Sequence, residues 1–200
     1  PCTYDTVYPG TECADGSIYA GTSPHLNAPM YTTPADGPAL PWNNGNGSDR
    51  VQTFLTSDVM GALNTLTLTE WDADSSTPEA EPHQAAQYCA DLVAHGYNDW
   101  YLPSASELWQ LYNNRDAIGN LDSGNRWSSY EVSQDQAWRL RHDGFSGSDW
   151  KNATNLIRCV RKDLDKTCGQ EISGNPLIMV FDSTNTADGT AADQITVPAG

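Results

Sequence analysis

Between Trp138 and Trp150 the chain gathers the side chains best suited to hold a ligand. They are Arg139, Arg141, His142, Asp143, Phe145, Ser146, Ser148 and Asp149, interrupted by Gly144 and Gly147. Flat aromatic rings stack on sugars or peptide groups, while Arg and Asp make directional, charge-assisted hydrogen bonds. Glycine-rich turns would display such groups on a rigid scaffold. In a strand over 137–142, Trp138, Leu140 and His142 share one face, and Arg139 and Arg141 point the other way. Trp138 is therefore expected in the core, and the two arginines lead the ligand candidates. Trp150, in a polar loop, is expected to be exposed. The expected ligand-binding set is Arg139, Arg141, His142, Asp143, Phe145, Ser148, Asp149 and Trp150, within a binding surface running from Ser128 to Asn155.

Other chemistry is weaker. Asp72-x-Asp74 followed by Glu79 and Glu81 offers oxygen ligands but lacks EF-hand spacing. A solvated acidic loop is the better reading, with a bound Ca2+ as the alternative, and no cofactor or metal is expected. The four histidines, His25, His83, His95 and His142, lie far apart with no HExxH spacing. His95, at the end of an expected helix, is read as meeting that helix's terminal carbonyls. With no GxSxG elbow or phosphate loop either, the chain is not expected to be an enzyme.

The composition narrows the partners. The 200 residues carry a net charge of −16, unevenly spread. Residues 1–125 hold 16 acids against two bases, Arg50 and Arg115; residues 126–166 hold eight bases against six acids; the tail from Thr167 holds four acids and no base. Such an acidic body repels nucleic acid and anionic membranes, so neither is expected as a partner. The acid excess reads as solubility in a salty or extracellular setting. No apolar run reaches the roughly 18 residues that would suggest membrane insertion. The chain opens on Pro1, which reads as a processed or excerpted piece. Seven Trp and nine Tyr supply bulky core material, yet a mean hydropathy of −0.56 with 16 Gly and 12 Pro indicates a loop-rich fold.

Several elements must position the candidate segment. Residues 1–50 read as short strands and turns, punctuated by Asp15-Gly16, Asp36-Gly37-Pro38 and Asn43-Asn44-Gly45-Asn46-Gly47. Residues 51–71 alternate loosely, and Leu63-x-x-Leu66-x-Leu68 fits strand or helix. Ala85, Ala86, Cys89, Leu92 and Val93 share one helical face over 83–95, with Gly96 as the stop. Ser104-Ala105-Ser106-Glu107 is a capping box that starts a second helix, with Leu108, Leu111 and Tyr112 as its buried stripe. Strands follow at 126–132, 136–142 and 156–161. Two helices and then an antiparallel meander is an α+β order.

The domain reading is a lead-in over 1–50, a core over 51–166 and, over 167–200, a linker with the start of a further β-module. Leu177–Phe181 and Gln194–Val197 are strand-like and cannot bury both faces alone, so they either pad the main domain or pair with a neighbouring chain or domain. The five cysteines lack any CxxC signature. Cys2–Cys13 is the local pairing option, and either of these could instead bond Cys168.

The dispersed pattern Ala86-x-Tyr88-Cys89, Gly96-Tyr97-x-Asp99-Trp100-Tyr101-Leu102-Pro103, Glu107-Leu108, Trp127-Ser128-Ser129-x-Glu131, Ala137-Trp138, Asp143-Gly144, Lys151 and Arg158-Cys159-Val160-Arg161 is specific as an ordered set. It resembles the Lcl C-terminal-domain-like family, named for a Legionella collagen-like adhesin, whose members have a C-type-lectin-like fold. Cys13–Gly21 and Met30–Pro34 look like the lead-in of longer members, so the resemblance spans roughly residues 10–162. It implies that Cys89 pairs with Cys159, a cross-link worth about 4 kcal/mol in the chain-entropy model and suited to an oxidising compartment. It implies architectural roles for Trp100, Leu102, Pro103, Trp127 and Ala137, with Arg158 or Arg161 pairing with Glu107 or Glu131. Calcium-dependent members of the wider fold use Glu-Pro-Asn or Gln-Pro-Asp with Trp-Asn-Asp, and none of these triplets occurs here. The branch that modifies sulfatases needs a reactive Cys pair, which a buried Cys89–Cys159 disulfide would not supply. In the variable proteins of diversity-generating retroelements this C-terminal stretch is the mutagenised binding face, with which the present composition is compatible.

The expectation is an extracellular module on a cell or virion surface that binds a cell-surface glycan or protein, as part of a bacterial adhesin or a phage receptor-binding protein. The alternative is a structural subunit or cap of a surface filament or virion, assembled by strand addition through residues 177–197. The resemblance also leaves homo-oligomers open.

Overall fold

The computed structural model describes residues 2, 7–43, 53–54, 57–73, 82–121 and 123–164. The expectations for residues 167–200, for Cys168 and for Asp74, Glu79 and Glu81 lie outside them. The architecture is α+β. Its elements in order are β1 (Ile18–Thr22), β2 (Pro29–Thr32), β3 (Ala39–Pro41), α1 (Gly61–Ala73), α2 (Gln84–Ala90), α3 (Ala105–Asn113), α4 (Arg115–Ile118), β4 (Asn125–Glu131), β5 (Gln136–Arg141), β6 (Ser146–Trp150), β7 (Thr154–Leu156) and β8 (Val160–Lys162).

Two sheets form. One has the order β1-β2-β8; the other runs β3-β7-β4-β5-β6. The strand expected over 156–161 is divided between them. Leu156 pairs with Ala39 in the larger sheet, and Val160–Lys162 pair with Met30–Thr32 in the smaller one. The chain changes sheets at Ile157–Cys159, where Cys159 is bonded to Cys89 of α2. The first 50 residues therefore supply strands to both sheets. A second disulfide joins Cys2 to Cys13.

The ambiguous Leu63–Leu68 stretch is helical, yet only Leu68 of its leucines is buried. The inner face of α1 is largely polar. Asn64 donates to Ser57 O at 2.8 Å and to Ser129 Oγ at 3.1 Å, and Thr65 Oγ1 accepts from Leu102 N at 3.0 Å. Gly61 permits the helix to approach α3, since a Cβ there would lie 2.3 Å from Glu107 Oε2.

The helix expected over 83–95 stops at Ala90, and Asp91 caps it. Leu92 turns back onto Cys89 O at 3.2 Å, Ala94 bridges Tyr97, and Val93 is exposed. His95 does not meet that helix's carbonyls. It adopts φ 57° and its Nδ1 donates to Asp15 O at 2.9 Å, tying the lead-in to the core. The capping box of α3 forms on both sides: Ser104 Oγ accepts from Glu107 N, and Glu107 Oε2 accepts from Ser104 N at 3.0 Å.

The expected partners of Glu107 and Glu131 are replaced by lysines. Glu107 Oε1 lies 2.9 Å from Lys162 Nζ and accepts from the Tyr101 hydroxyl at 2.9 Å; Glu131 pairs with Lys151. Arg158 instead reaches Asp36 at 3.6 Å, and Arg161 grips Asp99 at 2.8 and 3.1 Å. Long side chains from β8 and the β6–β7 turn thus cross the interior, a reach that sequence separation does not disclose. Trp100, Leu102, Trp127 and Ala137 all lie in one buried cluster with the Cys89–Cys159 disulfide.

Candidate functional site

The β5–β6 hairpin forms as a five-residue antiparallel ladder, from Gln136 opposite Trp150 to Leu140 opposite Ser146. β6 was not foreseen; its Ser, Gly and Asp residues carry little strand propensity, and pairing with β5 overrides that. Among the described residues β6 is also one of the two edge strands of its sheet, β3 being the other.

The hairpin tip gathers four of the expected residues. Phe145 is 56% exposed, with the Arg139 and Arg141 guanidinium carbons 5.4 and 5.2 Å from its ring centroid, within cation–π range. Arg141 binds Asp143 through Nε at 2.7 Å and through Nη2, and Asp143 Oδ1 also accepts from Phe145 N at 3.1 Å. Arg141 and the Phe145 N–H hold the Asp143 carboxyl well below the usual carboxylate range, and Asp143 in turn raises Arg141. Gly144 has φ 86°, and a Cβ there would lie 2.5 Å from the Tyr112 hydroxyl, so the turn sits directly on α3. His142 is exposed and donates its N–H to Gly124 O at 3.0 Å.

Arg139 is the least committed of these cations. Asp149 approaches its Nε only to 4.0 Å, because Asp149 Oδ1 takes the Trp150 N–H at 2.9 Å and Oδ2 takes the Asn155 amide at 3.3 Å. Arg139 Nε and Nη1 are left without hydrogen-bond acceptors. Both atoms are enclosed and the side chain is only 16% exposed, so Arg139 underlies the Phe145 ring rather than offering free donors at the surface.

The remaining candidates separate from the tip. Trp150 is 51% exposed, but it stands opposite Gln136 at the other end of the ladder. At ~3.3 Å per residue that places it about 16 Å along β6 from Phe145. Ser148 is half-buried and spends its hydroxyl on Gln136 Oε1 at 2.9 Å. Trp138 is half-buried rather than fully enclosed, packed against Trp109 of α3 with ring centroids 6.4 Å apart. Trp109 was missed by the periodicity argument, which followed the Leu108–Leu111 stripe; its signal was the i, i+3 spacing to Tyr112 on the neighbouring face.

Among the described residues no group of three or more His, Cys, Asp or Glu side chains comes together as a metal site. Asp72, read as part of an acidic loop, instead accepts from His83 N at 2.8 Å and faces His83 Nδ1 at 2.7 Å. A cavity of about 230 Å3 beside the Cys89–Cys159 disulfide is lined by Thr33, Pro34, Asp36, Tyr88 and Leu92. Its carboxylate is already held by Arg126 at 2.6 and 2.8 Å.

No curated protein matches the chain. A fimbrial protein from Bacteroides ovatus is similar in fold, with a TM-score of 0.51 and 15% sequence identity over 75% of this chain and 45% of that one. This chain thus corresponds to less than half of that protein's length. The family model of the Lcl C-terminal domain matches residues 42–161, which contain the whole hairpin and helix α3 beneath it, and the chain belongs to that family.

Proposed function

We propose that the chain is an extracellular recognition module, with the C-type-lectin-like fold implied by its family, that binds a cell-surface glycan or protein without catalysis. The observation that carries this reading is the hairpin tip, where an exposed Phe145 ring lies within cation–π range of two guanidiniums on a tightly paired scaffold. Exposing a large ring gives up burial energy, so an exposed Phe145 beside the half-exposed Arg141 favours a contact role. Two disulfides support an oxidising, extracellular setting. The net charge of −16 argues against nucleic acid and anionic membrane as partners.

The test is binding of the full chain to whole cells and a glycan panel, with and without chelator, beside a variant carrying Arg139→Ala, Arg141→Ala and Phe145→Ala. Binding by the parent that the folded variant loses, unaffected by chelator, is expected. No binding by either form would overturn the reading.

One observation favours a second reading, a subunit of a surface filament: β6 is an edge strand able to accept a donated strand, and the fold is shared with a fimbrial protein. Deleting residues 172–200 should leave ligand binding intact if the chain is a recognition module. If it is a subunit, the deletion should abolish assembly.

A further inference from the structure

The hairpin has a second face, and its chemistry differs from that of the tip. Directly opposed residues of an antiparallel pair project to the same side, as do residues two apart in one strand. Gln136 and Trp138 of β5 therefore share a face with Ser148 and Trp150 of β6. Trp138 and Trp150 are diagonal neighbours there, with backbone positions ~7–8 Å apart. Trp109 continues the row from α3, its ring 6.4 Å from Trp138, and Tyr112 buttresses Trp109 edge-on at 5.3 Å. Arg115 stacks on Tyr112 at 4.3 Å and donates to Tyr112 O at 3.0 Å, which fixes the far end of the row. Three indole rings from two strands and a helix, Trp150 exposed and Trp138 and Trp109 half-buried against the core, thus form one stripe running beside the edge of the sheet.

Between the rings the stripe is polar but uncharged. The Ser148 hydroxyl donates to Gln136 Oε1 at 2.9 Å, leaving the Gln136 amide hydrogens and the Ser148 oxygen lone pairs to pair with hydroxyl groups. Within the β5–β6 ladder the residues that share this face carry no charge; Arg139, Arg141 and Asp149 project from the opposite one. Rings spaced by a few ångströms and separated by neutral donors and acceptors match a chain of sugar rings, each with an apolar face and a hydroxylated edge. A protein of net charge −16 also lacks long-range attraction for an acidic chain at a site with no cation between its rings.

We propose that Trp150, Trp138 and Trp109, with Gln136 and Ser148, form a binding stripe for a neutral oligosaccharide of several sugars. The proposal rests on the recognition reading above and names its ligand class and a site distinct from the hairpin tip.

The test is calorimetric titration of the full chain with neutral tetrasaccharides (cello-, malto-, manno- and chitotetraose), with their monosaccharides, and with an acidic hyaluronan tetrasaccharide. Trp150→Ala and Gln136→Ala serve as surface variants, and Trp109→Phe as a ring-preserving one, each checked for an unchanged thermal midpoint. At least one neutral tetrasaccharide should bind, its monosaccharide at least about tenfold more weakly, and Trp150→Ala should lose about tenfold. Retained tetrasaccharide affinity in both Trp150→Ala and Trp109→Phe overturns the stripe. So does binding of the acidic tetrasaccharide alone. Cell binding that depends on the tip while no neutral tetrasaccharide binds overturns this inference and leaves the recognition reading standing. Absence of binding to cells and to every saccharide removes both.

Discussion

Lys151 and Glu131 face each other in the interior with neither side chain exposed to solvent. Lys151 Nζ also lies 4.8 Å from the Trp42 ring centroid, and Glu131 accepts the backbone N–H groups of Thr53 and Phe54 at 3.1 and 2.7 Å. The pair therefore anchors the end of β4 to the β6–β7 turn and to two residues far away in sequence. Removing one partner of a buried pair strands the other charge in a low dielectric, at a cost of about 3–5 kcal/mol. Lys151→Met should lose stability of that order in urea unfolding. Adding Glu131→Gln should recover part of it, because the stranded charge is gone, although the single amide oxygen can keep only one of the two bonds that Thr53 and Phe54 make to separate carboxylate oxygens. A double variant as unstable as the sum of the two singles would show that the charges are not coupled.

The Cys89–Cys159 disulfide spans 70 residues and ties α2 to the point where the chain changes sheets. Closing a loop of that length restricts the unfolded chain by about 4 kcal/mol in the entropy model. Cys89→Ala with Cys159→Ala should lower unfolding free energy by that order under oxidising conditions. The Cys2–Cys13 bond closes a much shorter loop, with a sequence separation of 11, and its removal should cost less. Parallel urea titrations of the two double variants give the comparison.

These relationships also show where the sequence was readable. The capping box at Ser104 and Glu107 was legible because it depends on contacts three residues apart. Helix α1 was not, because Gly61, Asn64 and Thr65 occupy inner positions and blur the apolar period. α2 ends early despite its periodic apolar residues, since Leu92 and Val93 follow a turn rather than a further helical step. At the candidate site the residue types indicated Arg139, Arg141, Asp143 and Phe145, which do converge. Trp150 joined that list as an aromatic expected to be exposed in a polar loop; it is exposed, but it ends strand β6, and the ladder carries it to the other end of the hairpin. The i, i+3 spacing of Trp109 and Tyr112 marked a second aromatic face on α3, but its packing on Trp138 is tertiary and has no local signal.

Tyr31 makes an alkaline prediction. Its ring packs against Tyr19 at 5.7 Å, its hydroxyl is buried without a hydrogen-bond partner, and burial, reinforced by Asp163 and Tyr19, pushes its pKa up to about 12. The folded state therefore favours the neutral phenol. That contribution is fully present below the ordinary tyrosine value of about 10 and is lost as pH rises through the folded value near 12. Tyr31→Phe should flatten the fall in stability between pH 10 and 12, and at neutral pH it should be neutral or stabilising by up to about 1 kcal/mol, since it removes an unpaired buried hydroxyl. Thermal midpoints of parent and variant across that range decide the matter.

The Arg141–Asp143 pair at the hairpin tip predicts the acid behaviour of the recognition surface. Arg141, and then the Phe145 N–H, depress the Asp143 carboxyl in the folded state. A depressed carboxylate contributes its stabilisation above the unfolded value of about 4 and loses it only as pH falls through the lower folded value. The tip should therefore keep its form from neutral pH down to about 4 and loosen below that. Direct observation of the Asp143 carboxyl carbon by NMR should show a midpoint well below the ordinary aspartate value of about 4. Asp143→Asn should abolish the bidentate grip on Arg141, free its guanidinium from one partner, and weaken tip-dependent binding at every pH with little change in global stability. Binding by Asp143→Asn equal to that of the parent would show that the fixed position of Arg141 is not needed for recognition.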